Sequence, residues 1–221
     1  MKILHKDWHR EIKIEENTIS TLVFENKKSY RHYLEELKSM ELGNEGNFIL
    51  LDSNKEVNFS KSVYLVSDFF NLDVSNKKIV TKVYEELSSI TNENYMQLME
   101  VKSKVLLFFE QLIQNSKYQI SKKDDIDIIN LLKLGGFHID IEGDFLEKLS
   151  KFFEILVEIC GIKIIITVGL QAILTEEELI NFYKNIMLKK IMLINMESEY
   201  RYSNKLEFEK VYIFDKDDCE I

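Results

Sequence analysis

Asp124, Asp125 and Asp127 place three carboxylates within four residues. Hard oxygen ligands suit a cation such as calcium, and charges this close repel unless a cation or a helix N-terminus offsets them. The glycine and terminal glutamate of an EF-hand loop are absent at their required spacing. Spacing alone therefore favours acids at the start of a short helix over 124–134, which Gly135-Gly136 ends. Lysines pair at Lys77-Lys78, Lys122-Lys123 and Lys189-Lys190. Solvated faces are the ordinary reading of such pairs, and Lys78 and Lys82 share a helical face at a spacing of four.

Other chemistry is harder to assemble. Gly169 is followed by Leu170-Gln171-Ala172, without the second glycine or the lysine of a phosphate-binding GxxxxGK[ST] loop, and GxGxxG is missing too. His5 and His9 have metal-ligand spacing for a helix, but their segment has little helical pattern. His32 and His138 join no nucleophilic arrangement with Ser, Cys or Asp. Cys160 and Cys219 form no CxxC motif and read as thiols of a reducing cytoplasm. No apolar run approaches the roughly 18 residues of a membrane span.

The chain of 221 residues is 45% hydrophobic, enough for a full core, and carries a net charge of −9. An acidic balance taken alone argues against nucleic acid, although one basic face on an acidic protein is compatible with it.

The elements that must position these residues centre on 162–168, an almost unbroken β-branched run that reads as a strand buried on both faces. Thr175 and Glu178 have capping-box spacing, and Leu179, Phe182, Tyr183 and Ile186 recur at helical spacing. Ile191-Met192-Leu193-Ile194 follows as a second strand, completing a βαβ unit. The remaining strands are expected in the same sheet: weak signals at 11–14 and 22–24, then buried runs at 48–51 and 63–66. A helix striped by Tyr30, Tyr33, Leu34 and Leu37 lies among them.

From Ser75 to Cys160 helices dominate. One carries Ile79, Val80, Val83, Leu87 and Ile90, and a second, capped by Asn92, runs some 20 residues or ~30 Å. A short strand is expected at 137–141, then a helix from Leu146 to Ile159. The organisation is an α/β head of two parts, 1–74 and 161–221, with a helical insertion over 75–160.

Three stretches carry a resemblance. Phe24-Glu25-Asn26 is followed by Tyr30-Arg31; residues 63–87 read VYLVSDFFNLDVSNKKIVTKVYEEL; and 209–221 read EKVYIFDKDDCEI. Together with 163–183 they closely resemble the Csn-two family, adaptation proteins of type II-A CRISPR systems. The resemblance implies a parallel-sheet head like a P-loop ATPase fold without working nucleotide motifs, and an inserted helical leg. It implies a homotetrameric ring binding double-stranded DNA ends in a basic channel. It also implies calcium near the legs, and a non-enzymatic role in spacer acquisition beside the CRISPR integrase and the guide-dependent nuclease. The family's calcium ligands fall on Asp124, Asp125 and Asp127. Lys122 and Lys123 stand where its acids often occur, and Asn130 where a glutamate can. The expected DNA contacts are Lys77, Lys78, Lys82, Lys122, Lys123 and Lys133. Two other readings stay open: a nucleotide hydrolase with a degenerate P-loop, and an interaction scaffold without DNA.

Overall fold

The computed structural model describes residues 1–201 and 206–221. It divides into two compact units, Met1–Leu72 with Ile141–Ile221, and Asp73–Asp140.

The first unit opens with β1 (Lys2–His5), β2 (Ile12–Lys13) and β3 (Ile19–Phe24). Helix α1 (Lys27–Glu41) follows, then β4 (Phe48–Asp52), β5 (Lys55–Glu56), the short α2 (Phe59–Ser62) and β6 (Val63–Val66). The second unit holds α3 (Lys77–Glu93), α4 (Tyr95–Gln114) and α5 (Ile128–Lys133). The chain returns to the first unit with α6 (Phe145–Glu158), β7 (Ile164–Val168), a 3-10 turn at Leu170–Ala172, α7 (Glu176–Leu188), β8 (Met192–Glu197) and β9 (Glu209–Phe214).

Five strands form a parallel sheet in the order β6-β7-β8-β3-β9. β3 is buried at every position because β8 and β9 pair with its two edges and both of its faces are covered. Alternate residues feed two cores. Leu22, Phe24, Ile164, Ile166, Ile194 and Met196 join Trp8, Tyr33, Leu37 and Phe48 on the side of α1. Phe24 stacks on Phe214 with ring centres 4.5 Å apart. On the other face α6 and α7 meet through Phe153 and Phe182, while Phe152 packs on Tyr64. Thr175 and Glu178 close the expected capping box at the start of α7.

Several expectations change. β1 pairs antiparallel with both β2 and β4 in a separate four-stranded sheet ordered β2-β1-β4-β5, so neither 11–14 nor 48–51 joins the parallel sheet. An apolar run signals burial but does not choose between two available partners. Residues 137–141 alternate yet form no strand, since no edge pairs with them. The short helix starts at Ile128 because Asp127 is its cap, and α4 begins after Asn94 because α3 continues through Asn92. Helix α6 belongs to the first unit, where Leu149, Phe152, Phe153 and Leu156 are buried.

Candidate nucleic-acid interface

The second unit carries all six expected DNA-contacting lysines. It holds nine lysines and ten carboxylates, net −1, so eight of the chain's nine excess negative charges lie on the first unit. Helix α3 anchors itself through buried Ile79 and Tyr84. The Asn76 side chain accepts the Ile79 N–H at 3.1 Å, capping the helix. Lys77 and Lys78 then occupy its first turn, which has no acid. Cations there oppose the helix dipole by about 0.3–1 kcal/mol each, a cost that a bound anion would reverse.

The other lysines have different surroundings. Lys82 pairs with Glu85 at 2.6 Å, and Lys122 with Glu110 at 3.4 Å. Lys123 is exposed. Lys133 lies in the last turn of α5, where a cation complements the dipole.

The three aspartates do not converge. Asp125 accepts from Lys102 Nζ at 3.0 Å, and that hydrogen bond, with one from the Ile126 backbone, holds its carboxyl below the ordinary range. Asp127 caps α5 by accepting the Asn130 N–H at 3.0 Å. Asp124 is exposed. Among the described residues no three His, Cys, Asp or Glu side chains gather as a ligand set. Calcium takes roughly six to eight oxygens, and this arrangement does not fit it. His5 is likewise a core histidine: its ring is buried, and Nε2 lies 3.0 Å from Glu36.

In the first unit, a nucleotide would be sought beyond the carboxyl ends of the strands, beside β3, where the strand order reverses. Only Glu25 and Asn26 separate β3 from α1. Asn26 Oδ1 accepts the Lys28 N–H at 3.0 Å, and its Nδ2 donates to Lys216 O and Asp218 Oδ2, each at 3.2 Å. The first turn of α1 is thus capped from within and faces a carboxylate. After β7, Gly169 takes φ +73°, which only glycine adopts freely. The turn it opens sends the Gln171 N–H to Glu197 at 2.8 Å.

Sequence reasoning missed the buried polar group beneath α7. Glu197, 2% exposed, accepts from Gln171 N and from Asn195 Nδ2 at 2.9 Å. Asn195 also donates to the Tyr183 hydroxyl at 3.1 Å and accepts from Thr167 at 2.9 Å. Glu209 accepts from Thr21 and, at 2.8 Å, from Tyr200. Burial pushes the Glu197 carboxyl up to about 7 against these hydrogen bonds. The available signal was Asn195 and Glu197, polar residues directly following the apolar run of β8.

No helix among the described residues is long and apolar enough to cross a membrane. No curated protein matches the chain. A solved structure from Pyrococcus furiosus, described as an ABC transporter (ATP-binding protein), aligns with 96% of this chain and 97% of its own, at 10% identity and a TM-score of 0.39. The family described as CRISPR-associated protein (Cas_Csn2) matches residues 40–218. With a match across most of both units, the chain belongs to the Csn-two family of CRISPR-associated proteins.

Proposed function

We propose that the protein is a non-enzymatic clamp for the ends of double-stranded DNA, assembled as a ring of four. In this reading it takes part in spacer acquisition in a type II-A CRISPR system, beside the integrase and the guide-dependent nuclease. Family membership supports the setting. The observation that carries DNA contact is the first turn of α3, where Lys77 and Lys78 stand side by side at a helix N-terminus and no acidic residue shares that turn. Such a site reads phosphate and no base, so binding is sequence-blind and driven by counterion release. Lys82, Lys122, Lys123 and Lys133 extend the same unit's contribution.

A ring is supported by α4. None of its 20 residues is buried, and Met96, Leu107, Phe108 and Leu112 are each more than half exposed. An apolar surface of this extent is characteristic of a protein interface, and a second copy of the chain is the occupant that a closed ring supplies. The hydrolase reading is weakened by the two-residue turn between β3 and α1, which its own Asn26 fills.

The experiment is a salt titration of binding to matched linear and covalently closed circular duplexes. A ring is threaded only from a free end, so linear DNA binds and circles bind poorly. Each neutralised phosphate adds about 0.9 to the slope of log affinity against log salt. Replacing Lys77 and Lys78 by Ala flattens that slope while fold and mass persist. Equal affinity for the two forms ends the threaded ring, and absence of any salt-dependent binding leaves the scaffold reading. Heat from ATP binding in calorimetry would return the hydrolase.

A further inference from the structure

The resemblance brings calcium to the segment that holds Asp125, but the position beside that carboxylate is already occupied by a cation of the chain itself. Lys102 projects from α4, and its Nζ donates to both Asp125 oxygens, at 3.0 and 3.4 Å. Further along α4 the polarity reverses: Glu110 receives Lys122 Nζ at 3.4 Å. The Lys102 and Lys122 side chains are only 14% and 22% exposed, so most of each stem is covered while its ammonium meets a carboxylate. Two ion pairs of opposite sense therefore tie residues 122–125 to α4. Asp127 is held at the N-terminus of α5, and Asp124 alone would be a poor ligand set. A divalent ion at Asp125 would have to displace Lys102 and would find few oxygens in exchange.

We propose that the ammonium of Lys102 stands in for a divalent cation at Asp125, so that the helical unit closes on this chain's own lysines and needs no calcium. Lys122 at Glu110 is the second half of the same device.

The test is the melting midpoint of the full chain, followed by circular dichroism in EDTA, in millimolar CaCl2 and in millimolar MgCl2. The wild-type midpoints agree in all three. Lys102→Met lowers the midpoint by about 2 °C, Lys102→Arg restores it, and Asp125→Asn in the Lys102→Met background lowers it no further. A wild-type gain in CaCl2 that MgCl2 does not reproduce overturns the inference, as does a Lys102→Met variant that melts with the wild type. No arm uses DNA or assembly, so failure here is distinct from failure of the DNA clamp.

Discussion

Glu197 is a carboxyl that the fold buries before it can ionise freely. Its value of about 7 comes first from burial, with the Gln171 and Asn195 hydrogen bonds acting in the opposite direction. Unfolded, the group titrates near 4.5. A carboxyl raised in the folded state stabilises fully below the unfolded value, and that contribution is lost as pH rises through the folded one. The difference corresponds to about 3 kcal/mol lost between roughly pH 4.5 and pH 7. Glu197→Gln keeps an acceptor for Gln171 N and Asn195 Nδ2 and removes the charge. Its melting midpoint is expected to match wild type near pH 4, below the unfolded value, and to exceed it by several degrees at pH 8. A variant whose pH profile parallels wild type would remove Glu197 as the titrating group. Single residues were unevenly legible in the sequence. Thr175 and Glu178 announced their box because capping is local. Glu197 did not announce its burial, because a charged residue after a strand ordinarily marks a surface loop, and only the cover of α7 and the 3-10 turn makes it otherwise.

Elements followed the same logic. Helices α1, α3, α4, α6 and α7 and strands β6, β7 and β8 were readable, since each carries its own apolar period or an apolar run, whereas β3 showed only the weak signal at 22–24. β1 was not read, because Lys2 and His5 flank only two apolar residues, and with it went the partner that draws β4 out of the parallel sheet. The alternation at 137–141 is the converse case, a local pattern without a tertiary partner. Helix α4 is the element whose sequence promises more than the single chain uses: a long apolar stripe with nothing buried. Phe108 and Leu112, four residues apart and 55% and 53% exposed, lie on one face. Replacing both by Glu costs the separate chain little, because neither is in a core. It charges the proposed interface, where unpaired carboxylates are expensive to bury. The expected outcome is a fall in mass from tetramer to monomer by light scattering, with helical ellipticity kept. A variant that retains the wild-type mass would place the interface on another surface.

For the whole molecule, the decisive fact is that the parallel sheet is assembled from chain ends far apart in sequence. Residues 1–66 supply β3 and β6, and residues 164–214 supply β7, β8 and β9. The interior strand β3 has only late strands as neighbours: Ser20–Val23 pair with Ile194–Glu197, and Ile19–Phe24 with Glu209–Phe214. A chain ending at 160 would leave both edges of β3 without hydrogen-bond partners, strip Phe24 of its Phe214 stack, and expose the apolar face of α6 that α7 covers. Truncating one buried Phe costs about 3–5 kcal/mol, comparable to a large share of a domain's stability of about 5–15 kcal/mol, and here many such contacts go together. The 1–160 fragment is therefore expected to show no cooperative melting of the first unit, with exposed apolar surface binding a hydrophobic dye, while the full chain melts cooperatively without dye. A fragment with a sharp transition near that of the full chain would mean that β3 and β6 find another sheet. The same dependence makes the discontinuous arrangement a single folding commitment: the helical unit is synthesised between the two halves of a sheet that cannot close until β9 emerges.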